Sequence, residues 1–189
     1  MLLNDPQTPR TPQTTQAPSP WVMRWSHLAR EGGSALDVAC GSGRHMRWLA
    51  ERGHAATGVD RSAEALRSAA AFGRTVLADI ENGTWPFAGQ LFDLVVVTNY
   101  LWRPRLPDIV SALAPGGVLL YETFAAGNET VGKPSRPDFL LQPGELLAAC
   151  AGLRVIGYED GYLDTPPRFV QRIAAVREAE PVARHRLES

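Results

Sequence analysis

The chain has 189 residues, 44% of them hydrophobic, which suits one compact domain with a real core and would cramp two. Nineteen basic against twenty acidic side chains leave a formal charge of -1, without the positive field that nucleic-acid binding draws on, so the expected partner is neither RNA nor DNA. No apolar run reaches the roughly 20 residues of a bilayer span and the first 20 lack the apolar stretch of a secretory signal, so a soluble, cytoplasmic protein with no membrane partner is expected.

Residues 1–19 are crowded with Pro, Thr and Gln and lack a periodic apolar face, and are expected to form a disordered tail. Trp21, Val22, Trp25, Leu28 and Ala29 then recur at helical spacing up to Gly32-Gly33. Ala35 to Ala39 reads as a strand, Arg44 to Glu51 as a helix, Ala55 to Val59 as a strand, and Ala63, Leu66 and Ala70 as the stripe of a second helix. Arg74 to Ala78 is a third strand and Leu91 to Thr98 a fully buried fourth. Pro107 to Leu113 supplies a crossover helix, and Val118 to Phe124 is a fifth strand after the Pro115-Gly116-Gly117 turn. Pro143 opens a short helix over Gly144 to Cys150. Leu153 to Tyr158 and Phe169 to Val176 follow as two strands with no helical stripe between them, hence an antiparallel pair at one edge. Residues 20–176 are thus one α/β domain, and 177–189 a loose C-terminal tail. The alternation implies a doubly wound, mostly parallel sheet with helices on both faces. Cys40 and Cys150 are too few and too scattered for a disulfide framework, and the four histidines lack ligand spacing, so no metal is expected.

In such a sheet ligands gather beyond the carboxyl ends of the strands. The first such end reads Leu36-Asp37-Val38-Ala39-Cys40-Gly41-Ser42-Gly43-Arg44, a Gly-x-Gly turn between strand and helix, and the next strand ends in Asp60. Dinucleotide sites share this layout, but their third glycine would fall at the bulky Met46. A cofactor with ribose and adenine but no pyrophosphate needs the first two glycines and the acid without the third.

Asp37 to Gly43 resembles the first motif of the class I S-adenosylmethionine-dependent methyltransferases. Gly58-Val59-Asp60, Ala78-Asp79-Ile80, Phe92 to Val97 and Leu113 to Leu119 resemble its later motifs in order, over roughly residues 34 to 176. The resemblance implies a Rossmann-like seven-stranded sheet of order 3-2-1-4-5-7-6 with the last strand antiparallel, and S-adenosyl-L-methionine as cofactor. It implies that Asp60, with Arg61 beside it, faces the ribose, that Asp79 and Ile80 hold the adenine, and that Asp37 and the Asn99 carbonyl hold the methionine amino group. Gly41, Gly43 and Arg44 would take its carboxylate side. Ala39 departs from the family's usual glycine. Tyr100 and Glu122, after the fourth and fifth strands, are the candidate catalytic residues, with Trp102 and Phe124 as further aromatic wall. Arg103, Arg105, Lys133 and Arg136 could gather over the pocket and favour an anionic substrate, and the Gly- and Pro-rich connection from Ala125 to Leu141 reads as a lid. The stretches Asn99 to Arg105, Tyr121 to Glu129 and Phe139 to Leu146 look similar to small bacterial methyltransferases near the tellurite-resistance and thiopurine branch. That points to a small-molecule acceptor such as a thiol or tellurite-like nucleophile. The rival readings are a cofactor-binding sensor or partner subunit without turnover, and an RNA methyltransferase that needs a partner.

Overall fold

The structure is a computed structural model that describes residues 17–179 and 184–188. Its elements run in chain order α1 (Pro20–Trp25), β1 (Ser34–Val38), α2 (Arg44–Ala50), β2 (Ala55–Asp60), α3 (Ala63–Ala69), β3 (Arg74–Leu77), β4 (Phe92–Thr98), α4 (Leu106–Ser111), β5 (Leu113–Phe124), α5 (Glu145–Ala149), β6 (Arg154–Asp164) and β7 (Pro167–Val176), with 3₁₀ turns between. The strands form one sheet in the order β3-β2-β1-β4-β5-β7-β6, as the resemblance implied. Six strands run in one direction, and β7 alone runs antiparallel, between β5 and β6.

The period of two along the central strands divides the core. Leu94, Val96, Val118, Leu120 and Ala174 face α1 with Trp21, Val22 and Trp25, while Val95, Val97, Leu119, Tyr121 and Ile173 face α4 and α5 with Ile109 and Leu146. Each such fully buried aliphatic side chain contributes about 1.5–3 kcal/mol. Between β3 and β4, where a crossover helix could lie, a turn carries Trp85 and Phe87, which stack edge-on in series with Phe92 and close that face with rings. At the amino-terminal end of the sheet Asp93 accepts hydrogen bonds from Arg30, from the Ser34 amide at 2.7 Å and from its hydroxyl at 2.9 Å; the Arg30 contact above all holds the Asp93 carboxyl down at about 2.

Four boundaries differ from expectation. β5 begins at Leu113 and not at Val118, because Leu113 already pairs with Phe92 before a register shift, so α4 ends at Ser111 and Pro115-Gly116-Gly117 lies within the strand. The hairpin of β6 and β7 continues to Asp164–Pro167, because Glu159 to Asp164 are satisfied by edge pairing and mostly face solvent, so they carry no apolar signal. Ser19, assigned above to the disordered tail, is 4% exposed and held by buried hydrogen bonds; residues 1–16 of that tail lie outside the described residues. In the C-terminal tail, Arg177 exchanges main-chain hydrogen bonds with Gly116 and Gly117.

Candidate active site

The parallel strands end together, and two clefts open there. The first, about 190 Å³, is lined by Ala39, Val59, Asp60, Arg61, Ala78, Asp79, Ile80, Glu81 and Tyr100, from the ends of β1 to β4. The loop after β1 turns through left-handed backbone at Ala39 (φ 55°), Gly41 (φ 54°) and Gly43 (φ 84°). Gly41 is open: a Cβ there would meet nothing within 4 Å. Gly43, by contrast, is needed for packing, since a Cβ would lie 2.9 Å from that of Ala69 on α3. The third-glycine question resolves likewise. Met46 is fully buried, and its sulfur fills the space a Cβ at Gly58 would claim.

Asp60 ties this cleft together. Its two carboxylate oxygens accept from the amides of Gly41 and Ser62, both at 2.8 Å, while the capping of α3 falls to the Ser62 hydroxyl. Each oxygen retains acceptor capacity toward the cleft. Asp79 is exposed and spends three acceptances on its own turn, from the Glu81 and Asn82 amides and the Asn82 side chain, which hold its carboxyl below the usual range. Ile80 is buried, with its side-chain surface in the cleft wall. Arg61 is exposed and lies 3.9 Å from Glu81.

Beneath the ends of β1, β4 and β5 lies a buried polar cluster that sequence spacing did not join. Asp37 is 1% exposed, and its Oδ2 has no hydrogen-bond partner among the described residues. Burial pushes its carboxyl up to about 7, against the pull of Arg44. Arg44 donates to Thr98 at 3.3 Å, and His45 accepts from the Ser19 amide at 3.1 Å. Burial, and Arg44 after it, drives His45 down to about 3, so it is neutral and structural. Glu122 is 2% exposed and lies 3.3 Å from Arg172, 3.5 Å from Arg168 and 3.1 Å from the Ser19 hydroxyl. It lines neither cleft. Ser19, Arg168 and Arg172 were absent from the expected site; the antiparallel hairpin, whose register sets Glu122 opposite Arg172, brings in the arginines, and the cap of α1 brings in Ser19. Cys40 is buried, and burial with Asp37 and Asp60 nearby raises its thiol far above the thiolate-forming range.

The second cleft, about 290 Å³, is lined by Glu81, Asn99, Tyr100, Leu101, Thr123, Phe124, Pro134 and Phe139. Tyr100 and Glu81 therefore stand in the walls of both. The Tyr100 hydroxyl is buried without a partner among the described residues, and burial first, Glu81 second, pushes the phenol up, so it stays protonated. Its carbonyl accepts from Tyr121, and Asn99, at φ 54°, bonds its amide to the Glu122 carbonyl. The connection from Ala125 to Leu141 folds over this cleft and is organised by Asn128, 1% exposed, which donates to the Pro134 carbonyl and accepts from the Phe169 amide.

The expected gathering of basic residues over the pocket does not form. Arg103 is spent on Glu145 and on the carbonyls of Asp138 and Leu140; Arg105 on Asp108 and the carbonyls of Ile80 and Gly83; Arg136 on Asp138. Lys133 is exposed, and none of the four lines either cleft. These arginines brace the lid and the β3–β4 turn instead. Trp102 is also absent from both walls, whereas Phe139 joins Phe124.

Residues 35–117 match the family described as "Methyltransferase domain". Over 107 residues, 52% of this chain, the sequence is 34% identical to the malonyl-[acyl-carrier protein] O-methyltransferase of Salmonella typhimurium, covering 42% of that protein. Over 133 residues it is 32% identical to the 2-heptyl-1-hydroxyquinolin-4(1H)-one methyltransferase of Mycobacteroides abscessus, 61% of this chain and 58% of that one. The chain thus spans about half the length of these relatives. Among solved structures, TehB from Haemophilus influenzae superposes with a TM-score of 0.61 at 22% identity, covering 77% of this chain and 58% of that one, a likeness of fold.

Proposed function

We propose that this chain, with its class I methyltransferase fold and its methyltransferase domain over residues 35–117, transfers a methyl group from S-adenosylmethionine to a small-molecule acceptor. The observation that carries the reading is the juxtaposition of two clefts through one shared wall at Tyr100, the first of them built on an open glycine loop and a strand-end acid.

The residues present fit the cofactor. Gly41 leaves room against the loop, Asp60 keeps acceptor capacity for the two ribose hydroxyls, and Ile80 offers an apolar face for adenine. Asp37 and Arg44 would take the amino and carboxylate ends of the methionine portion. A buried carboxylate with an unsatisfied oxygen is what an ammonium group would satisfy. When bound, the cofactor supplies an electrophilic methyl whose transfer needs alignment with a lone pair more than it needs a base. The protein's part is therefore positioning and exclusion of water, and orientation of this kind is worth about 7–11 kcal/mol. Tyr100 lines both clefts where they adjoin, beside the line along which methyl and acceptor must meet, and the Ala125 to Leu141 connection covers the acceptor side. Glu122 and the protonated Tyr100 act in this scheme as support and wall. The lining of the second cleft includes no basic side chain to hold a nucleotide's phosphate, which favours a free small molecule over a flipped nucleotide base.

Calorimetric titration with adenosylhomocysteine, followed by tritiated cofactor added to host extract, tests the reading. Binding with label recovered in the small-molecule fraction is expected. No binding, or label recovered in RNA, overturns it.

A further inference from the structure

The second cleft has a chemistry that selects among small acceptors. Its walls are mostly rings and aliphatic carbon, from Tyr100, Phe124, Phe139, Leu101 and Pro134, with Asn99 and Thr123 as the uncharged polar residues of the lining. Glu81 is the only charged side chain in the lining, and it stands at the rim shared with the first cleft, where Arg61 lies 3.9 Å away and offsets it. Every arginine of the neighbouring loops is tied to a carboxylate or carbonyl of the scaffold. An anion entering the cleft would give up its hydration and find no basic side chain among the described lining residues, while one acid stands among them. A flat apolar body loses nothing on entry and gains the offset and edge-on contacts that aromatic walls favour. The volume of about 290 Å³ sits at the lower limit of small-molecule sites and accommodates a one- or two-ring molecule.

We infer that the second cleft takes an uncharged, planar ring compound as methyl acceptor, held between Tyr100 and the pair Phe124 and Phe139, and discriminates against oxyanions and carboxylates. The inference rests on the methyltransferase reading and names the substrate class of that site.

The matched probes are 2-naphthol, uncharged at neutral pH, and 2-naphthoate, the same ring system carrying a carboxylate; sodium tellurite is the oxyanion probe. Each is titrated calorimetrically into the full chain saturated with adenosylhomocysteine. The expected result is binding of 2-naphthol at least tenfold tighter than of 2-naphthoate or tellurite. Phe124→Ala should weaken 2-naphthol at least tenfold. So should Phe139→Ala, at a partly exposed lid position whose truncation leaves the core intact, with adenosylhomocysteine affinity within twofold of the parent protein. Tellurite or 2-naphthoate binding as tightly as 2-naphthol overturns the inference, as does failure of 2-naphthol to bind at millimolar concentration, or an unchanged affinity in Phe139→Ala. Failure of adenosylhomocysteine itself to bind is a separate result that removes the methyltransferase reading beneath it.

Discussion

The two halves of the sheet build their share of the site in different ways. At β1 to β3 the cleft is made by residues immediately following each strand: Ala39 and Gly41, Asp60 and Arg61, Asp79 and Ile80. At β5 to β7 nearly every functional contact spans a long stretch of chain, with Ser19 reaching Glu122 over 103 positions and Arg172 over 50. The first half is a set of local turns whose chemistry is written in short motifs. The second is an assembly that exists only once the antiparallel hairpin has docked on β5. On the proposed reading the nucleoside side can therefore stay constant while the acceptor side varies in loop and hairpin, because the two clefts share only Tyr100 and Glu81.

Substitutions should separate the halves. The largest effect is expected on the assembled side. Glu122→Ala would take the carboxylate from Arg168 and leave Arg172 with Glu159 alone, at 20% and 16% side-chain exposure, and a loss of about 3 kcal/mol in urea-unfolding stability is expected, the lower end of what breaking a buried ion pair costs because both arginines keep some solvent and one keeps a partner. A change under about 0.5 kcal/mol would mean that the cluster is no more than a surface network. On the motif side, Asp60→Ala should leave the fold intact and weaken adenosylhomocysteine binding by about 1.5–3 kcal/mol, read by calorimetry. Unchanged affinity would remove Asp60 from the ribose.

Asp37 sharpens the contrast, since it belongs to a motif yet sits in the buried cluster. Its folded-state value of about 7 lies above the ordinary carboxylate value near 4, so the folded protein holds a proton that the unfolded chain has released. Stability of the ligand-free protein should therefore fall as pH rises from about 4 to about 7 and level off above that. Asp37→Asn should flatten this slope, raise the melting temperature at pH 8 and weaken adenosylhomocysteine binding at least tenfold, a stability gain coupled to a functional loss. Equal loss of both would show that Asp37 is a structural acid. The smallest effect is expected at Ala39, whose left-handed φ of 55° strains an L side chain. Ala39→Gly should add a few tenths to about 1 kcal/mol, because relief of that strain exceeds the entropy cost of glycine.

The fold was largely legible because buried parallel strands and amphipathic helices impose periods on the chain. Leu94 to Val97, in an unbroken apolar run, could only be a strand covered on both faces. The edge strand β6 was half missed, since residues whose side chains face water leave no pattern in the sequence. The same reason explains the arginines. Arg103, Arg105 and Arg136 lie in the loops that flank the acceptor cleft, and proximity in sequence suggested an anion site, but Arg103 finds Glu145 and Arg105 the Ile80 carbonyl on distant segments, while Arg136 and Arg105 also pair locally with Asp138 and Asp108. Met46 against Gly58 shows the reverse: a bulky residue that seemed only to exclude one cofactor class also has a packing partner on the next strand.

What the sequence determined by itself is the alternation of strand and helix, the order of the strand-end motifs and the residues that follow them, because hydrophobic period and backbone freedom act over a few residues at a time. What only the tertiary structure decided is which charges meet: Asp37 left with an unsatisfied oxygen, Glu122 between two arginines, and an acceptor cleft without an available cation. Ion pairs form between groups that the fold brings within a few ångströms, and their sequence separation carries no trace of that distance.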